Sequence, residues 1–358
     1  MFKSISVRAG SRALAILREG GLTPNRVQVL AGASGGPKWL VLAGIDRVLP
    51  RFFGKRKDPL FLLGSSIGSW RMAALAQKDP LRAIEAFEEA YTGQRYSSKP
   101  DAKEVTRESF RVMDAYLGDD DIRHILGHPY MRMNMIAVRS RSFGASDVKM
   151  LQGTHVALAA MANLAGRRLL RFFFERGLFH DPRCIPPFFG MDNFPTARIP
   201  LGEPNFRKAL MASGSIPLVM EGMRDIPGAP RGTWRDGGVI DYHLDVPYNV
   251  AVDALVLYPH FFDHIVPGWF DKSLRWRNFT PAFMENVVLV SPSAEFVDGL
   301  PLKMVPDRDD FRRFMGHDDE RVRYWKEVAR RSRVIGEEFM EAVEGGRIKD
   351  IVQPLGRR

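Results

Sequence analysis

The stretch Leu60-Phe61-Leu62-Leu63-Gly64-Ser65-Ser66-Ile67-Gly68 decides how the rest of the chain is read. Leu60 to Leu63 make a short apolar run of the kind that forms a strand buried on both faces, and small residues then let the backbone bend sharply. Trp70 to Gln77 has helix-forming composition, so the unit reads as strand, turn, helix. A G-x-S-x-G turn in that setting lifts a hydroxyl out at the end of a sheet, which makes Ser66 a candidate nucleophile and Gly64 and Gly68 its motif glycines. The plainer alternative is a tight glycine turn whose serine caps the next helix.

The same unit occurs once more upstream. Arg26 to Ala31 reads as a short buried strand, followed by Gly32-Ala33-Ser34-Gly35-Gly36 and an apolar helix opened by Pro37. Consecutive amides at a strand end and a helix start can hold an oxyanion, so Gly35 and Gly36 are candidate donors and Lys38 a candidate support, while Pro37 has no N–H to give. A phosphate loop is the competing idea, but the spacing G-x-x-x-x-G-K-[ST] fails because Trp39 follows Lys38. A third turn, Arg235-Asp236-Gly237-Gly238-Val239, places two glycines after an acid and lets the carboxylate approach another loop, so Asp236 is the candidate base.

Outward from these turns, helices are expected over Leu81–Tyr91, Lys103–Tyr116, Asp120–Leu126, Thr154–Arg176 and Asp318–Val343. Strands are expected over Met133–Val138, Ala254–Leu257 and Val287–Val290. Strands alternating with helices predict an α/β fold of three layers, a largely parallel central sheet with helices on both faces, and a site beyond the carboxyl ends of the strands. With 45% hydrophobic residues in 358, the chain has apolar material for a sizeable core. Residues 1–300 read as one acyl hydrolase domain, and 301–358 as a helical C-terminal extension packed on the same domain.

The single cysteine, Cys184, excludes an internal disulfide and any multi-cysteine metal site; burial is expected for it. The eight histidines show no metal spacing, and the hydrolytic chemistry asks for no metal and no organic cofactor. Only His243 lies near a motif, seven residues after Asp236, which leaves open a Ser–Asp–His esterase of the α/β-hydrolase type. The start of the chain lacks a secretory pattern, and Val156 to Ala165 is about half the ~20 residues a membrane-spanning helix needs, so a cytoplasmic protein with peripheral membrane contact is expected.

There are 52 lysines and arginines against 42 acidic residues, a net charge of +10 that favours anionic partners such as acidic lipid headgroups. The basic clusters Lys55-Arg56-Lys57 and Arg330-Arg331-Ser332-Arg333 come without a nucleic-acid motif and read as solvated faces, so no nucleic acid is expected. Arg167 to Phe174 mixes cations with large apolar groups, as a helix in a membrane interface does, or a core segment with snorkelling arginines.

A glycine-rich oxyanion turn, a G-x-S-x-G after the next strand and a distant D-G-[GA] stand here in the order seen in the patatin-like phospholipase family, which the chain resembles over roughly Val27 to Asp241. The resemblance implies a two-residue catalytic pair, Ser66 and Asp236, and a lipid ester substrate. The family's G-G-G-x-[RK]-G lies over Ser34 to Trp39, where Gly35, Gly36 and Lys38 match and Ser34 and Trp39 depart. Ala212-Ser213-Gly214-Ser215-Ile216-Pro217 is similar to a small-residue helix end that packs near the family's active site. The departures at Ser34 and Trp39 keep a different class in play, a catalytically silent lipid-binding protein of the membrane surface.

Overall fold

The computed structural model describes residues 2–357. Its strands are β1 (Ile5–Ala9), β2 (Val27–Gly32), β3 (Leu60–Ser65), β4 (Met131–Ser140), β5 (Phe174–His180), β6 (Thr196–Pro200), β7 (Thr233–Asp236), β8 (Leu255–Pro259), β9 (Val287–Pro292) and β10 (Val352–Pro354). They form one sheet in the order β10-β1-β9-β8-β2-β3-β4-β5-β6, with β7 paired to β4 off that path. The central neighbours β9, β8, β2, β3 and β4 run parallel, while β1 against β9 and β5 and β7 against β4 are antiparallel. Every residue of β3, β8 and β9 is buried, as apolar runs covered on both faces require. Helices lie on both sides of the sheet, giving three α/β/α layers.

The longer helices of the first 214 residues are α1 (Ser11–Gly20), α2 (Ala43–Phe53), α3 (Ile67–Leu75), α4 (Pro80–Thr92), α5 (Ala102–Tyr116), α6 (Asp119–Gly127), α7 (Lys149–Ala165) and α8 (Glu203–Gly214). The turn after β2 enters a 3-10 helix, Gly36–Leu42, before α2 begins. The C-terminal residues supply the helices Asp318–Arg331 and Arg333–Glu344 and the edge strand β10.

Three expectations are corrected. The helix expected over Thr154–Arg176 stops at Ala165; a 3-10 segment, Arg167–Phe172, follows, and Phe174 already belongs to β5. Arg176 is fully buried there, held by two 2.7 Å bonds to Asp241, so a distant carboxylate and the β4 ladder override local helical periodicity. The helix expected over Asp318–Val343 is two helices meeting at Ser332. The break brings this segment against α2: the Ser332 hydroxyl accepts the Gly44 N–H at 2.9 Å, and any Cβ on Gly44 would lie 1.9 Å from the Ser332 carbonyl. Cys184 is half-buried rather than buried.

The register of β4 positions the candidate site. On one edge of β4, β3 ends with Ser65 opposite Ile136, and β7 ends with Asp236 opposite Ala137. The other edge of β4 is occupied by β5. Because β3 is parallel to β4 and β7 antiparallel, their carboxyl ends meet head-on, and the residue after Ser65 faces the last residue of β7.

Candidate functional site

Ser66 sits at the apex of that meeting, with φ 55° and ψ −129°, a conformation unusual for a residue with a side chain. The strain is sustained by packing. A Cβ on Gly68 would lie 1.9 Å from the Gly32 carbonyl oxygen, so only glycine lets α3 start this close to β2. Gly64 and Gly237 likewise lie where a Cβ would run into the backbone of Ser69 and Ile136. The α8 end clamps both partners: the Ser66 N–H donates to Ser213 Oγ at 3.0 Å, and the Asp236 N–H donates to the Ser215 carbonyl at 2.9 Å. Ser213 Oγ in turn donates to the Ile136 carbonyl at 2.6 Å, tying the clamp to β4.

The Ser66 hydroxyl donates directly to Asp236 Oδ2 at 2.7 Å. The other carboxylate oxygen, Oδ1, accepts the Gly238 N–H at 2.7 Å, which fixes the orientation of the group. Asp236 is 8% exposed, and burial raises its pKa above the ordinary carboxylate value against the opposing pull of these two hydrogen bonds. A carboxyl pushed that way is a stronger base once ionised.

Gly35 and Gly36 line the same recess as Ser66 and Asp236, and neither amide donates to a protein acceptor among the described residues. Gly36 has φ +56°, and Gly35 packs edge-on to Phe261, whose ring leaves no room for a Cβ. Lys38, expected as a support, is paired with Asp307 at 3.2 Å, and burial lowers its pKa in spite of that partner. The two departures from the glycine pattern have structural places. Ser34 Oγ donates to Ser65 Oγ at 3.0 Å and lies against Gly238, joining the three motif turns; Trp39 is buried and stacks on Phe87 at 4.6 Å.

His243 is not brought to the serine. Its Nδ1 accepts the Val266 N–H at 2.9 Å, its Nε2 has no hydrogen-bond partner among the described residues, and its ring packs on His260 with centroids 4.2 Å apart. Burial holds its pKa well below the ordinary value, so it is neutral. No bond joins it to Ser66 or Asp236, and the carboxylate oxygen a triad would aim at histidine is taken by the serine itself.

Ser66 opens into a cavity of about 850 Å³. Trp70, Val105, Val112, Ile216, Val219 and Phe311 give it apolar walls, and Arg308, Lys272 and Lys38 bring cationic groups to the end near the serine. Arg308 lines both the cavity and the narrower recess at Asp236, and its guanidinium makes no ion pair among the described residues. Burial and the neighbouring Arg308 and Lys38 push Lys272 down to about 7. Arg308 and Lys272 escaped sequence reasoning because neither lies in a motif; the only signal was the overall basic charge. Among the described residues no group of three or more histidine, cysteine or acidic side chains is placed to hold a metal ion.

The fold and site thus define a three-layer α/β/α protein with a buried serine–aspartate pair where two strands meet. In comparison with known proteins, the structure of VipD from Legionella pneumophila is similar at 12% identity with a TM-score of 0.31, covering 65% of this chain. The chain spans 50% of the length of that structure. No family model and no curated protein matches the sequence.

Proposed function

We propose that the chain is a serine acyl hydrolase of lipid esters, with Ser66 as nucleophile and Asp236 as its base. The observation that carries this reading is the direct 2.7 Å hydrogen bond from the Ser66 hydroxyl to a buried carboxylate. An ester carbonyl entering beside Ser66 is attacked by its oxygen while the proton passes to Asp236. The developing oxyanion is met by the Gly35 and Gly36 amides, and the protonated Asp236 returns its proton to the departing alcohol. Water, deprotonated by the same carboxylate, then attacks the acyl-enzyme, releases the acid and restores Ser66. Every step uses the chain's own residues.

The substrate class follows from the walls. A cavity of about 850 Å³ with apolar sides suits an acyl chain, and the cations at the serine end suit a negatively charged headgroup such as a phosphate. The resemblance to the patatin-like phospholipases at the glycine turn, the G-x-S-x-G and the D-G-G supports the same reading.

A fluorophosphonate probe tests it. Mass spectrometry should place the adduct on the peptide containing Ser66, and Ser66→Ala should abolish both labelling and release of fatty acid from a lipid panel. An adduct elsewhere, or full activity in Ser66→Ala, would overturn the assignment. Lipid binding by a protein that neither labels nor hydrolyses would favour the silent binding protein instead.

A further inference from the structure

Helix α7 is amphipathic the wrong way round. Its buried residues are Gln152, His155, Ala159 and Asn163, whereas Met150, Leu158, Met161 and Leu164 face solvent at 76%, 38%, 57% and 58% exposure. The apolar residues recur at helical spacing, so they form one continuous stripe rather than scattered exposures. The stripe runs on past the end of the helix to Phe172, 65% exposed. Gln152 and Asn163 tie this face to the core: the Gln152 amide oxygen accepts the Leu218 N–H, and Asn163 Nδ2 donates to Asp271 Oδ1 at 2.7 Å, while the His155 ring packs edge-on to Phe173 and Phe174. The helix is therefore anchored through its polar face, and its apolar face is left outward.

Charge and position say what that face meets. Residues 148–174 contain no aspartate or glutamate, while Lys149, Arg168 and Arg171 stand exposed beside the stripe. A second copy of the chain pairing through the same face would bring like cations together, whereas an anionic bilayer neutralises such one-signed charge. The α7 excursion connects β4 to β5, so it leaves and rejoins the sheet at the carboxyl end of β4, the same end toward which β3 runs to Ser65. At one end it holds the loop of Leu218 and Val219, both partly exposed and both lining the Ser66 cavity; at the other it holds Asp271, two residues from the cavity-lining Trp269. No described helix is long and apolar enough to cross a membrane.

We propose that α7 and the turn after it are a docking surface for an anionic lipid bilayer. Met150, Met161, Leu164 and Phe172 enter the acyl region, and Lys149, Arg168 and Arg171 lie among the phosphates. The rim formed by Leu218 and Val219 then opens the cavity onto the lipid. The docking goes beyond the hydrolytic reading and stands without it.

The test uses the full chain as Ser66→Ala, so that no lipid is consumed, sedimented with vesicles of phosphatidylcholine alone or mixed with phosphatidylglycerol. Binding should need the anionic lipid and weaken as salt rises, because exposed charge is screened beyond a Debye length of ~8 Å at physiological ionic strength. Adding Met161→Asp or Phe172→Asp should lower the partition coefficient by about tenfold or more, the worth of one large apolar side chain withdrawn from the interface. Val252→Asp, 73% exposed and placed just before the amino end of β8, at the end of the sheet opposite the one where Ser66 lies, should leave binding unchanged. Equal binding to both vesicles, unchanged binding in the α7 variants, or a lipid-free dimer that Met161→Asp dissociates would each overturn the proposal. In the Ser66 background, Met161→Asp should keep hydrolysis of a soluble short-chain ester while losing hydrolysis of vesicles. If the parent hydrolyses neither, the enzymatic reading fails and the vesicle result still decides the docking.

Discussion

Replacing Asp236 by asparagine separates proton transfer from architecture. The side chain keeps its shape, and its amide oxygen can still accept the Gly238 N–H now bonded at 2.7 Å. On the other side an acceptor becomes an NH2 donor, so the Ser66 hydroxyl, which donates across 2.7 Å, loses the group that takes its proton. Loss of a general base lowers turnover by ~10²–10⁴-fold. At ~1.4 kcal/mol per decade that is about 3–5 kcal/mol of transition-state stabilisation. Stability should move the other way. Burial raises the folded pKa of Asp236, so its contribution to stability is fullest at low pH and is lost as pH rises through that raised pKa. At neutral pH the ionised, buried carboxylate is a liability, and Asp236→Asn should melt at or above the parent temperature. Initial rates on one short-chain ester, beside thermal melts, read both quantities. The control is His243→Asn, which retains an acceptor for the Val266 N–H. A folded Asp236→Asn protein within tenfold of the parent rate would refute the reasoning, as would a folded His243→Asn protein that is equally inactive.

Other consequences are directly measurable. The acid limb of kcat/KM should fall above the ordinary carboxylate range, because Asp236 must be ionised to accept the proton and burial raises its pKa. For an anionic substrate KM should rise with pH through about 7 as Lys272 loses its charge, and a substrate with a neutral headgroup should show no such rise. Arg308→Ala should raise KM for phospholipid by about 10–100-fold, the range for a lost hydrogen bond to a charged group, while a neutral short-chain ester changes little. Gly68→Ala puts a Cβ 1.9 Å from the Gly32 carbonyl, so it should cost about 1–3 kcal/mol or more in chemical denaturation and reduce soluble expression.

What could be read from the residues alone was local. Short apolar runs marked β2, β3, β8 and β9 as strands, because a strand covered on both faces has no polar alternation to hide it, and in β2 and β3 the run ended in a small-residue turn. The same turns identified Ser66, Gly35, Gly36 and the D-G-G, since a sharp strand-to-helix bend admits few residue types. Strands whose identity depends on a distant partner were missed: β1 and β10 lie near the chain's two ends, β7 is four residues long, and β5 passed for helix until Arg176 met Asp241.

The pairing of Ser66 with Asp236 rested, at the level of residues, on order within the chain and a family likeness, because nothing local says that two turns 170 positions apart touch. The tertiary structure supplies the cause in the β4 register, where Ile136 and Ala137 take Ser65 and Asp236 as successive partners on one edge. It likewise explains why Ser213 and Ser215 matter, brings Arg308 to the serine from the C-terminal part of the chain, and shows that α7 turns its polar side inward. These are properties of long-range contact. Hydrogen-bond ladders and burial join residues that chain spacing leaves apart, and which face of a helix meets the core is set by what packs against it.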